Sequence, residues 1–160
     1  MMMNIREICS KDDFQLAEII REVLAEFGAD RPGFAWQDPE LDALSRAYLE
    51  QGARYWVAEL DGRVVGGVGI APFDCHWPAT CELQKMYLSP LCRGKGIGQA
   101  LLETALNFAE GQGYHHCYLE TFEPMVQARK LYESRGFERL QAPWGNSGHS
   151  ACDCWMMKAL

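Results

Sequence analysis

A chain of 160 residues with 48% hydrophobic and 23% charged side chains is large enough to bury one core without disulfide or metal staples. Its formal net charge of −7 argues against nucleic acid or an anionic membrane as the main partner, since both reward a basic surface. No apolar run reaches the ~18 residues of a membrane span, and the opening "MMMNIREICSKDD" lacks the basic-then-apolar order of a signal peptide.

The seven cysteines are odd in number and lie in apolar contexts such as "TCELQKMYL" and "HHCYLETF". They read as buried, reduced thiols of a cytoplasmic protein rather than as a disulfide framework. No repeat, low-complexity tract or linker interrupts the chain, so residues 1–160 are expected to form a single domain.

"NIREICS" is the first strand. Ser10 is expected to cap a helix, with Asp13 in the capping-box position; Leu16, Ile20, Val23, Leu24 and Phe27 then follow at helical spacing, and Gly28 ends it. After the loop "GADRPGFAWQ", Asp38 and Pro39 open a second helix carrying Leu41, Leu44 and Tyr48 as far as Gly52. "RYWVAELDGRVVGGVGIAPF" is a hairpin turning at Asp61-Gly62, and "TCELQKMYLSP" is a strand stopped at Pro90. A glycine-rich stretch leads into a helix ending near Glu110. "HHCYLETF" is a strand, "PMVQARKLYESRG" a helix, and "FERLQAP" and "CDCWMMKAL" are the last two strands. The order β-α-α-β-β-β-α-β-α-β-β predicts an α/β (α+β) fold in which a mixed sheet is flanked by about four helices.

Gly94, Gly96 and Gly98 stand between a strand and a helix, directly behind Arg93. Glycine weakens a helix by up to ~1 kcal/mol relative to alanine, so a close approach to bare backbone must offset it. The first N–H groups of a helix are unpaired and its dipole makes that end positive; with Arg93 and Lys95 nearby, the chemistry is that of a pyrophosphate cradle. A P-loop would need Gly-Lys-Ser/Thr, and none is present. The dinucleotide fingerprint would need its third glycine where Gln99 stands.

The remaining pattern, Arg93-x-x-Gly96-x-Gly98, resembles the signature of the GCN5-related N-acetyltransferase (GNAT) family. The stretch "ETFEPMVQARKLYESRGFERL" is similar to the family's second motif, and the resemblance covers nearly the whole chain. It implies a mostly antiparallel sheet with splayed strands at the acyl-CoA site and acetyl-CoA (coenzyme A) as cosubstrate. The strand "CELQKMYLSP" would hold the pantetheine arm through Met86, Tyr87 and Leu88. The loop Arg93, Gly94, Lys95, Gly96, Ile97, Gly98 and Gln99 would hold the pyrophosphate. Met125 stands where the family often has an asparagine that contacts pantetheine, and Tyr132 is placed beside the thioester sulfur.

Acetyl transfer to an amine needs a base for the ammonium, an oxyanion donor and an acid for the leaving thiolate. Tyr132 is the candidate acid, and a backbone N–H near Met86 the candidate donor. Glu82, expected to share strand parity with Gln84 and Met86, and Glu120 are the candidate bases, with water as a further option. His149, a loop histidine near the C-terminal strand, reads as a turn residue with a local hydrogen bond or as a contact to the acceptor. Cys152 and Cys154 would point to one face of a strand, but no second Cys/His pair has suitable spacing, and the adjacent His115 and His116 face opposite ways; no metal is expected.

The first two helices, the loop before Asp38 and the C-terminal strands should form the acceptor side. Trp36, Asp38, Glu82, Glu120 and Asp153 would make it partly acidic and aromatic. The expected acceptor is a small-molecule, amino-acid or peptide primary amine, and the last strands offer an edge for a homodimer. A non-catalytic acyl-CoA-binding sensor is the alternative reading of the same motifs.

Overall fold

The computed structural model describes residues 2–160. Runs rich in β-branched and aromatic residues pair into one seven-stranded sheet of order β1-β2-β3-β4-β5-β7-β6. Its strands are β1 (Met3–Glu7), β2 (Arg54–Leu60), β3 (Arg63–Pro72), β4 (Thr80–Leu88), β5 (His116–Thr121), β6 (Glu138–Leu140) and β7 (Cys154–Ala159). The helices are α1 (Asp13–Glu26), the short α2 (Leu44–Ala47), α3 (Ile97–Gly111) and α4 (Val126–Ser134). Pairing is antiparallel except between β4 and β5. The β2–β3 turn places Asp61 and Gly62 at φ +50° and +82°, the mirror-image turn that suits the twist of a hairpin.

The two-residue period of the strands divides the core in two. Tyr55 and Val57 of β2 face one side, where Leu16, Ile20 and Val23 of α1 cover them together with Leu41 and Leu44. Trp56 and Ala58 face the other, against Leu101, Leu102 and Ala105 of α3 and Tyr132 of α4.

Three local expectations are corrected. Ser10 does not cap α1: Ser10–Asp12 is a 3-10 turn, and the Cys9 N–H donates to Asp12 Oδ2 at 2.8 Å. Asp13 instead accepts from the Ser45 hydroxyl at 2.6 Å and the Ser45 N–H at 2.9 Å, tying α1 to α2. Nor does Asp38 open a long helix. Pro39–Ala43 is a 3-10 turn, followed by the single turn of α2, because the Asp38 carboxylate is directed to partners on other elements.

The third correction sets the geometry of the site. Gly69 of β3 pairs with Gln84, but Gly67 pairs with Tyr87, so three steps of β4 oppose two of β3. Lys85 takes the extra step in a left-handed conformation, φ +46°, that a non-glycine residue rarely adopts. A bulge of one residue reverses the parity beyond it. Met86 and Leu88 therefore pack on the α3 side. Gln84, reached by Tyr48, and Tyr87 lie on the α1 side. Glu82 and Met86 do not share a face as the uninterrupted strand period implied.

Candidate active site

β4 and β5 pair only at Thr80–His116, Cys81–Cys117 and Glu82–Tyr118. Beyond Glu82, β4 continues against β3 to Leu88, whereas β5 continues against β7 to Thr121. The two strands thus part in the middle of the sheet, and two spaces meet in the opening.

The larger is a cleft of about 600 Å³ between the C-terminal half of β4, the N-terminus of α3, α4 and the end of α1. Of the residues expected to hold a cofactor, Met86, Tyr87, Leu88, Arg93, Gly94, Gly96, Ile97, Gly98, Gln99 and Met125 line it. Lys95 is exposed and is not among the lining residues. Gly94 and Gly96 have φ of +77° and +79°, and a Cβ on either would meet nothing within 4 Å. Their glycine identity therefore serves the left-handed turn and an open face, not internal packing. The Gly96 carbonyl already accepts from Ala100 N–H, so the amides that follow Gly96 form the unpaired start of a 15-residue helix. A bulky anion fits that cradle.

Arg93 is engaged elsewhere: its guanidinium grips both Glu26 oxygens at 2.6 and 2.8 Å, closing the cleft against α1. Val23 and Phe27 of α1 also line the cleft, a contribution that the loop motif does not signal.

The smaller space is a chamber of about 70 Å³ on the α1 side, reached by Glu82, Glu120, Lys85, His149 and Cys152 and walled by Leu24, Phe34 and Phe122. Met86, Tyr87, Met125 and Tyr132 line both spaces, so cleft and chamber join there. Glu82 is 6% exposed, and burial raises its pKa to about 7, assisted by the nearby Glu120 and opposed by a 2.6 Å hydrogen bond from Gln84 Nε2. Tyr132 is buried with its ring edge-on to Phe137, and burial raises its phenol above the usual range, so it keeps its proton at neutral pH. The Glu120 carboxylate accepts from the Tyr118 hydroxyl at 2.5 Å and from the Ser147 hydroxyl.

His149 is not a local turn residue. Its Nε2 lies 2.9 Å from Asp38, and Asp38 also accepts from the buried Lys85 ammonium at 2.6 Å. The Asp38 bond holds the His149 pKa above its ordinary value against the opposing effect of burial. Burial would raise the Asp38 carboxyl, but His149 and Lys85 outweigh it and hold the pKa low. One carboxylate thereby ties together the segment before α2, the β4 bulge and the segment before β7. Sequence reading missed Lys85, since nothing in a strand pattern announces a bulge. Trp36 and Asp153 do not line the chamber; Asp153 instead accepts the Glu123 N–H at 3.0 Å.

Among the described residues, the side chains that could jointly hold a metal are Glu120, His149 and Cys152, whose ligand atoms lie within 4.8 Å of one another. Glu120 accepts from two hydroxyls, His149 Nε2 is bonded to Asp38, and burial with the carboxylates of Glu120 and Asp153 pushes the Cys152 pKa up to about 12. Cys152 and Cys154 do not point to one face, because Cys152 precedes β7 and packs on the α1 side while Cys154 enters the α3 side. No helix among the described residues is long and apolar enough to cross a membrane.

Residues 17–137 match the family described as Acetyltransferase (GNAT) family. Over 158 residues the chain is 42% identical to the "Uncharacterized N-acetyltransferase YjgM" of Escherichia coli K12, covering 98% of this chain and 94% of that one. The crystal structure of a GNAT-family acetyltransferase from Staphylococcus aureus superposes with a TM-score of 0.86 at 22% identity over 99% of each chain. The PaiA N-acetyltransferase of Thermoplasma acidophilum, crystallised in complex with coenzyme A, superposes with a TM-score of 0.77 at 19% identity over 100% of each chain. The two superpositions show a shared fold.

Proposed function

Because the chain belongs to the GNAT family of acetyltransferases, we propose that it is an N-acetyltransferase that moves an acetyl group from acetyl-CoA directly to a primary amine at the junction of cleft and chamber. The observation that carries this is that Tyr132 and Met86 line both spaces at the point where β4 leaves β5. Binding of coenzyme A by the relative PaiA supports the same cosubstrate here. The left-handed glycines and the α3 N-terminus suit its pyrophosphate, and Met86–Leu88 with Met125 suit its pantetheine arm.

Acetyl-CoA brings the acyl group as a thioester; the protein supplies the proton traffic. Glu82 takes a proton from the incoming ammonium, a task matched by a pKa of about 7. A backbone N–H near Met86 polarises the thioester carbonyl. As the amine nitrogen bonds to the carbonyl carbon and the C–S bond breaks, the Tyr132 hydroxyl gives its proton to the sulfur. The nitrogen sheds its second proton as the amide forms, which through solvent restores the Tyr132 hydroxyl, and the proton taken by Glu82 passes to bulk water, so one proton is released for each amide and free thiol formed. Glu82 is the better base of the two carboxylates, since Glu120 already accepts from two hydroxyls.

The chamber's size suits the end of a small-molecule or peptide amine. We assign the whole chain to one domain acting in the cytoplasm. Thiol release from acetyl-CoA, measured against a panel of primary amines, tests the reading. Amine-dependent release is expected; tight acetyl-CoA binding with no release on any amine would point to a sensor instead.

A further inference from the structure

β3 carries glycine at 66, 67 and 69, where side chains would ordinarily pack. A Cβ on Gly67 would stand 2.5 Å from the Tyr55 ring, and one on Gly69 2.7 Å from Tyr55 and 2.8 Å from Tyr48. The glycines therefore let two tyrosine rings, 5.2 Å apart between centroids, lie against the sheet. Both hydroxyls reach β4 at its bulge: Tyr55 donates to the Lys85 carbonyl at 2.7 Å, and Tyr48 donates to Gln84 Oε1 at 2.9 Å.

The second bond has a directional consequence. With its oxygen held by the Tyr48 hydroxyl, the Gln84 amide turns its N–H₂ toward Glu82, and Nε2 donates to Glu82 Oε1 at 2.6 Å. Were the amide reversed, its oxygen would face the Glu82 carboxylate, a repulsive contact. We propose that Tyr48 is a positioning residue that acts through Gln84: its hydroxyl fixes the amide orientation and thereby keeps a donor on the Glu82 carboxylate. The proposal deepens the assignment of Glu82 as base, and its consequence for turnover rests on that assignment.

The hydrogen bond from Gln84 favours ionised Glu82 and opposes burial. Other groups facing Glu82 are Glu120 on β5, which disfavours its charge, and Lys85 and His149, which favour it. Lys85 and His149 are both held by Asp38, which a change at Tyr48 leaves untouched. Tyr48 itself is buried, and burial with the nearby Glu40 and Glu82 charges keeps its hydroxyl protonated, hence a donor.

The test is Tyr48→Phe, which keeps the ring and removes the hydroxyl, beside Gln84→Met, which removes the donor. The Glu82 carboxyl is titrated directly by carbon NMR with ¹³C-labelled glutamate, its signal assigned by loss in Glu82→Gln, and the pH–rate profile is recorded in parallel. Tyr48→Phe should raise the Glu82 pKa by about one unit, and the double variant should go no further than Gln84→Met alone. An unshifted Glu82 titration in folded Tyr48→Phe, or shifts that simply add, would overturn the proposal. A shifted titration with an unmoved pH–rate profile would uphold the positioning role and instead remove Glu82 as the base.

Discussion

Glu82 and Tyr118 are the last paired residues of β4 and β5, and the strands separate immediately beyond them. The carboxylate thus sits at the apex of the opening rather than along a continuous sheet. Coenzyme A entering the cleft should cover β4 beyond this pair. Hydrogen exchange of residues 84–88 and 94–99 is expected to slow on its addition, with β1 and β2 unaffected.

Buried Glu82 also leaves a mark on stability. Its folded pKa, about 7, lies above the ordinary carboxylate value of 4.5. Between these two values the unfolded chain has released a proton that the folded chain still holds, so stability falls as pH rises through the window and levels off above it. Glu82→Gln removes that dependence. Relative to wild type it should gain roughly 3 kcal/mol between about pH 4 and pH 8, read by denaturant unfolding at each pH.

The loop glycines should not be equivalent. Gly96 is left-handed, and alanine there costs about 1 kcal/mol and tilts the first amides of α3. Gly98 is in an ordinary conformation, and an added Cβ would meet Leu131 Cδ2 at 3.5 Å, normal contact. Calorimetry should find coenzyme A affinity reduced tenfold or more in Gly96→Ala and within a few fold of wild type in Gly98→Ala.

Arg93 must leave Glu26 if it is to meet a pyrophosphate. Glu26→Gln should then tighten coenzyme A binding, and Arg93→Ala weaken it, both effects shrinking as salt screens the exposed charges. Salt-independent effects would mark Arg93 as a strut between α1 and the loop.

Much of this was legible in the chain itself. The order of eleven elements, the Asp61-Gly62 turn and the glycine entrance to α3 all follow from local rules, because each is specified by residues adjacent in sequence. What escaped was non-local. Whether Asp38 caps a helix or holds Lys85 and His149 depends on segments 47 and 111 positions away. The parity of Met86 depended on a bulge at Lys85 that no glycine marks, stabilised by the Tyr55 hydroxyl from another strand. His149 reads as a turn residue in the sequence because its partner Asp38 lies 111 positions away.

The central claim is that Tyr132, between the two spaces, protonates the departing thiolate, and Tyr132→Phe tests it most directly. The ring and its contact with Phe137 are kept, so the fold and acetyl-CoA affinity should hold. With an amine acceptor that supports turnover, kcat should fall by ~10²-fold or more while KM for acetyl-CoA stays within a few fold. Equal kcat in wild type and Tyr132→Phe would contradict the account.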